Sequence, residues 1–208
     1  MLEAIRVIEG KAAPLKLDNV DTDQIIPAEF LKILSKKGLG RYCFYRWRYN
    51  EDGSLKRDFI LNDPRYLDAS ILIAGRNFGI GSSRENAVWA LQDLGIRCVI
   101  APSFGDIFYV NSIKNMLLCI KLPEEEVKML QELAERETLV LKIDLEKNTI
   151  EFKDNIIRFE MNNVVRERFL QGLDEIELTL KNHIERIKKY EENMPGFMIP
   201  KPRRFIPY

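Results

Sequence analysis

The chain has a single histidine among its 208 residues, His183, and it lies in a charged segment that reads as helix. That scarcity removes whole classes of mechanism. A Ser-His-Asp relay has no usable base, and a His-Glu-x-x-His zinc site cannot be written. Cysteine is almost as rare: Cys43, Cys98 and Cys119 stand far apart without paired spacing. An odd, sparse count fits a reducing compartment in which each thiol serves as a small buried hydrophobe. Iron–sulfur ligation by this chain is not expected, because such sites usually show closely spaced cysteines. There is no charge excess either, with 32 Lys+Arg against 32 Asp+Glu. No global basic field therefore argues for nucleic acid. No apolar run approaches the ~18 residues of a membrane span. The first residues, Met1-Leu2-Glu3-Ala4-Ile5-Arg6, lack the basic and apolar regions of a signal peptide, so a cytoplasmic protein is expected.

What remains is an ordinary globular composition, 46% apolar and 31% charged. Regular patterning begins near residue 70. Strand-like runs at 70–74, 97–101 and 117–121 alternate with helical spacing at 83–95, 103–114 and 123–135, the signature of crossover connections and a parallel or mixed sheet. The period then becomes two, with Leu139, Leu141, Ile143 and Leu145 on one side, followed by Ile150/Phe152 and Ile157/Phe159/Met161. Turn signals at Lys147-Asn148 and Asp154-Asn155 make this an antiparallel meander packed on the first half. Before residue 70 the spacing predicts short strands at 4–9 and 14–17 and a short helix or ordered loop over 28–34. An aromatic, arginine-rich excursion occupies 41–68. A short helix over 163–171 and a longer one over about 174–193 precede a tail with Pro195, Pro200, Pro202 and Pro207. The expected division is one domain over 1–193 and a proline-rich tail over 194–208.

The candidate site is the run Gly75-Arg76-Asn77-Phe78-Gly79-Ile80-Gly81-Ser82-Ser83-Arg84-Glu85. It joins a buried strand to a helix start through glycines, which presents backbone N–H groups and the positive end of a helix dipole to an anion. Arg84 adds a two-pronged carboxylate or phosphate partner. Dinucleotide, P-loop and nucleophile-elbow patterns all fail on this run. Ser82-x-x-Glu85 also fits a capping box that needs no function. Two adjacent hydroxyls exceed the needs of one cap, however, and an arginine in the first helical turn opposes the dipole unless an anion accompanies it. A hydroxyl so placed could carry a proton without histidine, its alkoxide stabilised by the helix end. Removing a proton beside a carboxylate also calls for a cation to absorb charge, and no metal ligands are visible here, so any metal belongs to a partner.

These residues, together with Asn19-Val20-Asp21-Thr22-Asp23-Gln24-Ile25-Ile26-Pro27, Ala101-Pro102-Ser103-Phe104-Gly105-Asp106-Ile107-Phe108 and Asn111-Ser112-Ile113-Lys114-Asn115, carry a resemblance across roughly residues 5–198. The chain resembles the isopropylmalate isomerase small subunits, equivalent to the swivelling fourth domain of the aconitase superfamily. The resemblance implies an α/β fold, a single-domain three-layer β/β/α swivelling domain with a mixed sheet. It implies a hydro-lyase of leucine biosynthesis that interconverts 2- and 3-isopropylmalate by dehydration and rehydration. This chain would bind no cofactor, and the [4Fe–4S] cluster would lie on a large subunit that is the obligatory partner. The substrate is a small di- or tricarboxylate; no nucleic acid and no membrane are involved.

By motif position Ser82 resembles the proton-carrying serine, Arg84 the carboxylate clamp and Ser83 a neighbouring hydrogen-bond donor. The loop with Phe30, Leu31, Lys32 and Ile33, flanked by Leu34, matches the substrate-specificity loop. Its apolar residues suit an isopropyl group, whereas Lys32 would suit a further carboxylate, as in homoaconitate. An apolar underside with a solvated lysine explains the same residues without function. Methyl- or dimethylmalate are further alternatives, as is an anion-binding module without chemistry. Arg76, Asn86 and Cys119 depart from the family's usual glutamate, histidine and proline.

Overall fold

The computed structural model describes residues 3–33 and 35–198; Leu34 and residues 199–208 of the tail lie outside it. Four parallel strands build one half of the sheet: β1 (Val7–Leu15), β2 (Ile71–Ala74), β3 (Cys98–Ala101) and β4 (Leu118–Lys121). The antiparallel strands β5 (Val140–Asp144), β6 (Thr149–Phe152) and β7 (Asn155–Arg158) complete it, in the order β4-β3-β2-β1-β5-β6-β7. The helices are α1 (Thr22–Ile25), α2 (Tyr45–Arg48), α3 (Glu85–Asp93), α4 (Asp106–Lys114), α5 (Glu124–Arg136), α6 (Asn163–Gln171) and α7 (Glu175–Glu192).

The near-continuous apolar runs of β2 and β3 are explained by burial on both faces. Alternation sorts their side chains between two cores. Leu72, Ala74, Val99 and Ala101 join α1, α3 and α4 in one core. Ile71, Ile73, Cys98 and Ile100 join Val127, Leu130 and Ala134 of α5 in the other. Leu141, Ile143, Ile150 and Phe152 of the meander share that second core, so strands β5–β7 extend the sheet at its edge and bury the same apolar layer that α5 covers. This is the mixed, layered α/β fold that the resemblance implies.

One local expectation here is corrected. The strands expected at 4–9 and 14–17 are one strand, β1. Pro14 interrupts nothing because the Ala12 N–H points to Leu139, on the β5 side, and a period of two sends position 14 the same way. The β5 pairing ends at Lys11, so no ladder bond is lost there. Residues 28–34, expected as helix or ordered loop, hold a 3-10 turn over Ala28–Phe30.

Candidate functional site

Three loops meet beyond the carboxyl ends of β1, β2 and β3, the usual place for a ligand in an open α/β sheet. The β2–α3 loop carries the glycine-rich run. The β1–α1 segment, with Asn19, Asp21, Thr22 and Asp23, lies beside it in register. The Asn19 N–H donates to Arg76 O (2.8 Å), the Gly79 N–H to Val20 O (2.7 Å) and the Thr22 N–H to Ile80 O (2.9 Å). From the third loop, Ser103 accepts the Asn77 N–H at its Oγ (2.9 Å) and the Phe78 N–H at its carbonyl (3.1 Å). Gly79 is required: its φ is +77°, and a Cβ there would stand 2.3 Å from Phe108 Cγ. Gly81 follows at φ +99°. Both lie in the left-handed region that L side chains rarely adopt.

This path delivers Ser82 and Ser83 to the exposed surface immediately before α3. The helix opens at Glu85, with Arg84 as an extended N-cap and no side-chain cap hydrogen bond. The capping box that would have explained Ser82 is therefore not formed. A complete box occurs instead at Asp21 and Gln24, where it shapes α1. The helix expected over 83–95 is correspondingly shorter. Ser82 is held through its backbone, its carbonyl accepting from Thr22 Oγ1 at 3.1 Å. Ser82 lies three residues before the first residue, and the positive end, of a nine-residue helix.

Arg84 has the anionic companion that its position demands. Its side chain is only 16% exposed, and its guanidinium forms an ion pair with Asp23 of α1. The hydrogen bond from Arg84 lowers the Asp23 carboxyl below its ordinary value. Asp23 and Thr22 are the site residues that sequence reasoning missed. The signal was present as a turn-forming cluster, but with 32 carboxylates in the chain nothing local selects the one that meets Arg84.

The expected specificity residues follow α1 in the chain. Phe30 stacks on Tyr42 with ring centroids 4.1 Å apart and meets Tyr45 edge-on at 4.9 Å. Leu31 and Ile33 are partly buried against the first core, while Lys32 is exposed. Leu34 lies outside the described residues. The aromatic excursion is thus a packed ladder, continuing through Tyr45 and Tyr49 (4.9 Å). Arg76 finds a counter-charge in Glu124 at the start of α5, on the far side of the glycine loop. A cavity of about 440 Å³ opens there, lined by Asp18, Gly75, Arg76, Glu124 and Gln131 among others and by none of Ser82, Ser83 and Arg84.

Among the described residues no group of three or more His, Cys, Asp or Glu is placed to hold a metal ion. The cysteines do not fit a cluster. All three are buried, Cys98 and Cys119 in different cores, and burial raises their thiols, that of Cys119 to about 12.

Residues 3–125 match the aconitase C-terminal domain family. The 3-isopropylmalate dehydratase small subunit of Oceanobacillus iheyensis is 47% identical over 191 residues, covering 91% of this chain and 98% of the relative. That of Afipia carboxidovorans is 52% identical over 182 residues, covering 86% and 90%. The chain belongs to the 3-isopropylmalate dehydratase small-subunit family. A crystal structure of 3-isopropylmalate dehydratase from Methanocaldococcus jannaschii agrees, with a TM-score of 0.64 at 30% identity over 88% of this chain and 99% of that one. Membership of this small-subunit family places the chain among lyases of the aconitase superfamily.

Proposed function

We propose that this chain is the small subunit of a 3-isopropylmalate dehydratase of leucine biosynthesis, contributing a proton-carrying serine and a carboxylate clamp to a site shared with a large subunit. The observation that carries the reading is the exposed Ser82-Ser83 pair at the positive end of α3, beside a mostly buried arginine. Arg84 binds one substrate carboxylate through its guanidinium fork, of which the Asp23 contact engages Nη1. Ser82, as alkoxide, takes the proton from the carbon bearing that carboxylate. The electron pair of the broken C–H bond forms the alkene as hydroxide leaves the neighbouring carbon. Return of that proton from Ser82 and re-addition of hydroxide, with the two carbons exchanged, gives the isomer and restores the alkoxide. The helix end stabilises the alkoxide, and Ser83 donates a hydrogen bond alongside. The family resemblance assigns a [4Fe–4S] cluster to the large subunit, where it would supply a Lewis acid for the departing hydroxyl. Residues 30–33 face the alkyl group; their largely apolar character favours isopropyl over the additional carboxylate of homoaconitate.

Reconstitution tests this. The chain alone is expected to show no turnover, and addition of a cluster-bearing 3-isopropylmalate dehydratase large subunit is expected to start isomerisation of isopropylmalate in preference to homoaconitate, methylmalate and dimethylmalate. A homoaconitate preference would reassign the substrate. Dicarboxylate binding by the isolated chain, with no turnover in any mixture, would favour an anion-binding module.

A further inference from the structure

The segment that follows α1 is fastened on both sides of Arg84. At its start α1 carries Asp23, the partner of the Arg84 guanidinium. Further on, Lys36 reaches across to α3. Its ammonium lies 4.7 Å from the centroid of the Trp89 ring and donates to Asn115 Oδ1 at 3.2 Å. The same oxygen accepts the Trp89 indole N–H at 2.9 Å. The Asn115 amide group donates to Glu85 Oε1 at 2.6 Å and to Asn111 O at 2.9 Å, and the Asn115 carbonyl accepts from Gln92 Nε2 at 2.6 Å. Glu85 is the residue after Arg84 and the first of α3. The contacts therefore close a circuit from Asp23 to Arg84, through Glu85, Asn115 and Lys36, and back along the chain to α1.

Asn115 is the hub because a side-chain amide offers two acceptor sites and two donors, and all four are used here. That fixes its orientation and aims its oxygen at Lys36. A lysine suits the opposite end, since its apolar stem lies along the indole while the ammonium meets the amide. Beyond it, the Gly38 and Gly40 N–H groups both donate to Asp93 Oδ2, at 2.9 and 2.7 Å, so the segment's exit is fixed at the other end of α3. Lys36 lies in the chain between those anchors and residues 30–33. Its side chain is exposed, and a single exposed contact of this type contributes little to global stability, which suits placing a loop rather than holding a fold.

We infer that Lys36, held by Trp89 and Asn115, is a positioning residue for substrate selection: it sets where residues 30–33 stand relative to Arg84, and so the size of alkyl group admitted beside the clamped carboxylate. This rests on the reading of Arg84 as a carboxylate clamp. The test compares Lys36→Met, which keeps the stem but loses the charge and the donor, with Lys36→Arg, which keeps both.

In the free full-length chain, Lys36→Met is expected to speed amide exchange at residues 31–33 and 35–37 by about five-fold, the scale of one lost cation–π contact, with α3 unchanged and Lys36→Arg close to wild type. In the complex with the large subunit, Lys36→Met is expected to raise KM for isopropylmalate by about five-fold, with kcat within about two-fold and the KM for methylmalate nearly unmoved. Lys36→Arg restores the ratio. Unchanged exchange overturns the tether. Faster exchange with an unchanged isopropyl-to-methyl KM ratio overturns the selection role. Absence of turnover in the wild-type complex overturns the dehydratase reading and the selection role together, and the exchange result then stands as the test of the tether alone.

Discussion

Arg84 and Asp23 show how a charge pair can be small in energy and still organise a site. Asp23 is 46% exposed, so the pair contributes only ~0.2–1 kcal/mol. The Arg84 hydrogen bond lowers the Asp23 carboxyl below 3.8, so the stabilisation is complete above the unfolded value and is lost as pH falls through the lowered folded one. Asp23→Asn should therefore cost at most ~1 kcal/mol in urea titrations, constant above about pH 5 and vanishing in more acid solution. A deficit that grows on acidification would place the pairing elsewhere. The need for this pair was legible in the sequence, since an arginine opening a helix requires an anion. Its identity was not, because Asp23 and Arg84 are 61 positions apart and meet only through β1–β2 pairing.

At the scale of elements, the β2–α3 connection owes its path to one glycine. Gly79 and Gly53 both have positive φ, +77° and +82°, but a Cβ at Gly79 meets Phe108 whereas at Gly53 nothing lies within 4 Å. Gly53→Ala should cost only the left-handed backbone penalty of ~1–2 kcal/mol, and Gly79→Ala should exceed it by a further ~1–3 kcal/mol of overpacking. Equal losses in thermal melts would show that Phe108 moves aside freely. Period and composition were enough to locate β2, β3, β4 and α5, each within two residues of its bounds, because burial on one or both faces fixes those patterns. They failed where backbone partners decide. Pro14 sits inside β1 because β5, on the side its missing N–H would face, has already ended while β2 still pairs with it, and α3 starts three residues after Ser82 because the cap is supplied by chain geometry rather than by the serine.

At the scale of the molecule, the sheet order brings three loops distant in sequence to one edge and leaves Ser82 and Ser83 open there. The parallel half and the meander were foreseeable from the change of period near residue 139. Their joining through β5 and β1 was not, since pairing between the second half and the first strand leaves no local mark. The exposure of the serines fits half of a shared site. The most direct measurement is turnover by the Ser82→Ala chain in the complex with the large subunit, with assembly followed by gel filtration. Loss of the proton carrier is expected to lower kcat by about 10²–10⁴-fold while the complex still forms and binds isopropylmalate. Turnover within a few-fold of wild type, with assembly intact, would contradict the role of Ser82 at the centre of the site.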